Sequence, residues 1–184
     1  MSVVRVIVAG TVGAGKSTLV QTVGEIGVVS TEEIATDETA SIKPKTTVAL
    51  DFSRVTIPAI NATNQTLHLY GTPGQYRFNF MWEILLQTAQ LGLVLVPAHR
   101  PEDLQPTRRV LDFIDSYSIT CTAKPLPLTI GLTHTDCLGA LSIDEATAAF
   151  GNRANRIVAI NPRDRTSIID ALAIAVDNLS ESRI

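Results

Sequence analysis

The sequence predicts a single α/β domain, residues 1–184, with a mostly parallel six-stranded sheet, one antiparallel edge strand and helices on both faces. Two observations carry this. Short apolar, β-branched runs alternate with segments of helical period along the whole chain. One pair of strands has no helix between its members, so it forms a hairpin rather than a crossover. At 184 residues the chain can bury a sizeable core as one domain.

The first strand is the apolar run 3–9, interrupted only by Arg5. A glycine-rich loop follows, and an amphipathic stretch predicts a helix over 16–24. From Gly27 to Lys45 the chain is polar, small and without clear period; a connection of that length is usually functional or disordered. Strands are expected at 47–57 and 65–70, joined by the short, turn-rich linker Pro58 to Asn64. A helix at 76–89 leads to an apolar strand at 91–97. Pro101, Glu102 and Asp103 give the next helix, 102–116, a proline start and an acidic first turn. A strand at 126–132 precedes a helix at 143–149, where Ser142 and Glu145 have capping-box spacing. A strand at 156–160 and a helix at 166–180 complete the pattern.

Composition excludes several functions. A net charge of −3 argues against a nucleic-acid partner, which needs a basic face. Cys121 and Cys137 are the only cysteines and lie in separate segments, so no disulfide framework or metal spacing is visible. The run Leu91 to Val96 is too short to span a bilayer. No signal-peptide or lipidation pattern is evident, which implies a cytoplasmic chain without an intrinsic membrane anchor.

The loop Gly10-Thr11-Val12-Gly13-Ala14-Gly15-Lys16-Ser17 reads G-x-x-x-x-G-K-S between a strand and a helix. That context is the one a phosphate-binding loop requires. Glycines let the backbone wrap with its N–H groups inward, against phosphate at a helix N-terminus. Lys16 would reach the β- and γ-phosphates; Ser17 would take one Mg²⁺ position, with Thr18 beside it.

With the run Tyr70 to Phe78 added, the chain resembles a Ras-like small GTPase, of the bacterial gliding-polarity and roadblock-associated branch. That branch shares a Thr-Thr-Val-Ala-x-Asp-Phe segment, here residues 46–52, and a Gly-Thr-Pro-Gly-Gln segment, here residues 71–75. The resemblance implies GTP/GDP and Mg²⁺ as ligands. It implies that the Thr47 hydroxyl binds Mg²⁺ and its N–H meets the γ-phosphate, although Thr46 offers a second register. It further implies that the Gly74 N–H contacts the γ-phosphate and that Gln75 orients the attacking water.

The departures from the pattern are specific. Gly71 stands where such GTPases carry an aspartate that holds a Mg²⁺ water. Asp51, four residues after Thr47 on the neighbouring strand, is either its substitute or an aspartate on an exposed hairpin edge. After the strand at 126–132, Thr133-His134-Thr135-Asp136 replaces Asn-Lys-x-Asp. Asp136 keeps the bidentate acceptor for guanine N1–H and the 2-amino group, and His134 either lies on the purine or is a loop histidine. After the last strand, Pro162 has no N–H to offer the base, so Asn161 or Arg163 must supply it.

These readings predict a GTP-binding switch that hydrolyses slowly, with residues 36–47 and 71–80 ordered by the γ-phosphate. A roadblock-type regulatory protein is the implied partner, docking around Phe78, Phe80 and Trp82 unless these form the buried face of their helix. A nucleotide-bound scaffold with negligible turnover and an ATP-binding P-loop protein are the alternatives.

Overall fold

The computed structural model describes residues 3–25, 32–34, 45–47, 50–58, 64–73, 79–154 and 156–181. Its strands are β1 (Val3–Gly10), β2 (Glu32–Ile34), β3 (Lys45–Thr47), β4 (Asp51–Ile57), β5 (Gln65–Gly71), β6 (Leu91–Pro97), β7 (Leu128–Thr133) and β8 (Arg156–Ala159). Its α-helices are α1 (Lys16–Val23), α2 (Asn79–Leu86), α3 (Leu104–Thr122), α4 (Ile143–Phe150) and α5 (Arg165–Glu181). Six strands form one sheet in the order β4-β5-β1-β6-β7-β8. All neighbours in it are parallel except β4 and β5.

Alternation along β1 divides the core between two layers. Val4, Val6 and Val8 face α1 and α5, meeting Leu19, Val20, Val23, Ile168 and Leu172. Ile7 and Ala9 face the opposite side, where α2, α3 and α4 contribute Trp82, Leu86, Leu111, Ile114 and Phe150. The α/β class, the antiparallel edge strand and helices on both faces are as the sequence predicts. The capping box is present, with Ser142 Oγ accepting from the Glu145 N–H and the Glu145 carboxylate accepting from the Ser142 N–H.

Two expectations need correction. The strand expected at 47–57 is two strands. Thr47 ends β3, which pairs antiparallel with β2 in a separate two-stranded sheet, whereas Asp51 opens β4 opposite Gly71. The β4–β5 ladder begins at the pair Asp51 and Gly71, the last residue of β5. Trp82 is 5% exposed, packs edge-on against Phe113 and donates from Nε1 to the Pro73 carbonyl. It is core, not docking surface. Phe78 lies outside the described residues, as do Gly74 and Gln75.

Candidate functional site

The carboxyl ends of β1, β6 and β7 and the loop after β8 converge on the segment joining β1 to α1. At such strand ends α/β sheets bind ligands. Gly10, Gly13 and Gly15 all adopt positive φ (139°, 77° and 98°), a conformation that side chains disfavour. The carbonyls of this loop are pinned by donors from the protein. Lys16 Nζ donates to Gly10 O at 2.8 Å and to Thr11 O at 2.7 Å. An Arg100 Nη2 donates to Val12 O at 2.7 Å, and Thr133 Oγ1 donates to Ala14 O at 3.1 Å.

A planar trans peptide points its N–H opposite to its C=O. The carbonyls held by Arg100 and Thr133 therefore turn the N–H groups of Gly13 and Gly15 away from those donors. Inward-turned amides in a loop of this kind suit an anion. The loop leads into the N-terminus of α1, where Lys16 and Ser17 are 7% and 9% exposed and Thr18 faces solvent. Pro162 closes the floor: a Cβ on Gly15 would sit 2.8 Å from its Cγ.

Asp51 is not on an exposed edge. It is 1% exposed, on the same face of β4 as Ser53, Val55 and Ile57, and its Oδ1 has no hydrogen-bond partner. A buried carboxylate oxygen without a donor is costly unless something not yet bound satisfies it. Gly71, its cross-strand partner, leaves the space the carboxylate fills: a Cβ there would lie 3.1 Å from Asp51 Cβ and 3.5 Å from its Oδ2. Thr47 stands opposite Glu32 in the small sheet.

At the other end, Thr133 ties the loop after β7 to the phosphate loop. Its hydroxyl donates to Ala14 O, with Val96 O farther off at 3.4 Å. His134 Nδ1 lies 3.0 Å from the same hydroxyl oxygen. Half-buried His134 adopts φ 58° and packs its ring 4.5 Å from that of His99. Burial, His99 and the Arg100 and Arg163 guanidiniums hold its pKa below the ordinary value, against a smaller upward pull from Asp136. The ring is therefore neutral at pH 7. Asp136 is exposed two residues on.

The base contact expected from Asn161 or Arg163 meets an obstacle. The Asn161 N–H donates to Ser167 Oγ at 3.0 Å, and the Arg163 N–H donates to Asn161 Oδ1 at 3.0 Å. Asn161 makes its own turn here, so both amides are committed within the chain.

Residues 27–175 match a family described as a conserved hypothetical ATP binding protein. The chain belongs to this family. It is also similar to an uncharacterized protein of Methanocaldococcus jannaschii, 33% identical over 98 residues. That similarity covers 53% of this chain and 53% of the other, so the chain spans about half the length of this curated relative. The family match begins beyond α1, so it includes Asp51, Gly71, Thr133, His134 and Asp136 but not the phosphate loop.

Within this family member, sequence reasoning missed His99, Arg100 and Asp103. The signal was their place directly after an apolar parallel strand. Asp103 read instead as an acidic helix start, yet at the N-cap of α3 its side chain caps nothing. Among the described residues no helix is long and apolar enough to cross a membrane, and no cluster of three or more His, Cys, Asp or Glu forms.

Proposed function

We propose that the chain is a guanine-nucleotide switch that binds GTP with Mg²⁺ and hydrolyses it slowly to GDP. One observation carries the nucleotide reading: a loop with three positive-φ glycines, its Val12 and Ala14 carbonyls held back by Arg100 and Thr133 and Lys16 folded over it, leads into the N-terminus of α1. Membership in a family described as ATP binding supports a nucleotide in general. Asp136, just past β7, favours guanine, because its carboxylate can accept from both N1–H and the 2-amino group. Gly74 and Gln75 are assigned the γ-phosphate contact and the orientation of water, and Lys16 the β- and γ-phosphates. Residues 36–47 and 71–80 are the segments that respond, and a roadblock-type protein is the regulatory partner.

Ser17, Thr47 and Asp51 are the proposed Mg²⁺ residues. The donor set is hard oxygen, as Mg²⁺ prefers, and the orphaned Asp51 Oδ1 fits a metal-bound water. The ion supplies charge neutralisation on the phosphate oxygens. Asp51→Asn is expected to raise the Mg²⁺ concentration needed for half-maximal nucleotide binding by about tenfold, the scale of one charged hydrogen bond. Gly71→Asp alone is expected to worsen binding, since two carboxylates would share one space, whereas Asp51→Gly with Gly71→Asp restores it. An unchanged Mg²⁺ titration in Asp51→Asn would remove Asp51 from the metal site.

The family description favours a second reading, an ATP-binding protein. Titration with fluorescent GTP and ATP separates the two. GTP is expected to bind at least about a hundredfold tighter, since losing the bidentate contact leaves polar groups unpaired. Asp136→Asn should erase most of that margin. Equal or tighter ATP binding by the unaltered protein overturns the guanine reading and leaves the ATP-binding one.

A further inference from the structure

We infer that Arg100 and Asp103, from the turn between β6 and α3, are positioning residues that clamp the first half of the phosphate loop. This rests on the nucleotide reading above and extends it to residues outside the glycine loop. Arg100 Nη2 donates to Val12 O at 2.7 Å and meets Asp103 Oδ2 at 2.5 Å. The same Oδ2 accepts from Thr11 Oγ1 at 2.8 Å. Two successive loop residues are thus held from one ion pair, Thr11 through its side chain and Val12 through its carbonyl. Both charged side chains are largely buried, 14% and 13% exposed, and Arg100 Nε has no hydrogen-bond partner.

The use made of Asp103 argues that the contact serves the loop. Asp103 ends a 3-10 turn, Pro101–Asp103, that runs directly into α3; it makes no capping bond there, and its carboxylate faces the phosphate loop. A lone carboxylate beside a polyphosphate site would repel the ligand. Paired with Arg100, it orients both the guanidinium and Thr11 while its charge is neutralised, and the guanidinium holds the Val12 carbonyl back so that the following amide stays directed at the anion.

The arrangement makes a sign-specific prediction. Arg100→Ala should weaken Mg²⁺-dependent binding of fluorescent GTP and ATP by at least about thirtyfold, since it removes the guanidinium and leaves Asp103 buried, unpaired and facing phosphate. Adding Asp103→Asn to Arg100→Ala should recover most of the loss, because the repelling charge is gone. Asp103→Asn alone should stay within about threefold of the unaltered protein, as the amide oxygen can still accept from Arg100 and Thr11.

A merely structural pair would show a further loss in the double variant, and that result overturns the clamp. Should Arg100→Ala fail to fold, Arg100→Lys is the substitute: loss of about tenfold at an unchanged melting temperature supports the clamp, and unaltered affinity overturns it. Lys16→Ala, measured alongside, distinguishes the two levels of failure. Nucleotide binding by the unaltered protein, lost in Lys16→Ala but intact in Arg100→Ala, defeats the clamp alone. No nucleotide binding by the unaltered protein defeats the nucleotide reading and the clamp with it.

Discussion

Lys16→Ala is expected to lower affinity for fluorescent GTP and ATP by at least about a hundredfold while the protein remains folded. The ammonium lies at the mouth of the phosphate loop, bonded to the carbonyls of Gly10 and Thr11 and 7% exposed. Truncation removes a positive charge from beside a polyphosphate, together with charge-assisted bonds each worth about 1.5–3 kcal/mol. Two such bonds already correspond to about a hundredfold or more in affinity. The cost to the fold is smaller, because the bonds lost tie loop carbonyls, those of Gly10 and Thr11, rather than the two core layers to each other. Equilibrium titration and a thermal melt on the same preparation check both halves. Unchanged affinity would refute the phosphate-loop assignment.

Gly10→Val is expected to have the largest effect on stability. A Cβ at Gly10 would lie 2.3 Å from the Leu95 carbonyl oxygen on the adjacent strand β6, and that backbone atom has no rotamer by which to move aside. The φ of +139° adds conformational strain of about 1–3 kcal/mol for a side-chain-bearing residue. Overpacking adds about another 1–3 kcal/mol, against a typical total stability of about 5–15 kcal/mol. A fall in melting temperature of about 10 °C or more, or recovery only as insoluble protein, is the expected outcome. Gly139→Ala is the control, since its φ of +74° carries the conformational cost alone with nothing within 4 Å of the added methyl. A drop no greater in Gly10→Val than in Gly139→Ala would contradict the close approach of β1 and β6.

Much of the candidate site could be read in the sequence because its signals are local. A glycine spacing, a lysine and a serine after a β-branched run specify a strand, a left-handed turn and a helix start within fifteen residues. Ser142 and Glu145 meet three residues apart on one helical turn, and the structure has that capping box. Where contacts cross the chain, local pattern was silent or misleading. Asp51 looked as much like an edge residue as a ligand until its pairing with Gly71 put it 1% exposed on the core side of β4. Asn161 and Arg163 offered two candidate donors, and a turn closed by the Asn161 side chain, with Ser167 beyond it, committed both amides.

The sequence by itself determined most of the elements and the glycine turn between β1 and α1, since backbone conformation and hydrophobic period depend on neighbours a few residues apart. Only the tertiary structure decided which distant groups serve that loop. Arg100 and Asp103 reach Val12 and Thr11 across some ninety residues of chain, and Thr133 reaches Ala14 across 119. Their meeting depends on β1, β6 and β7 lying side by side and in parallel, so that their carboxyl ends open on one place. That adjacency comes from burying two apolar faces of a single sheet, a condition on the whole chain that no short window of sequence contains.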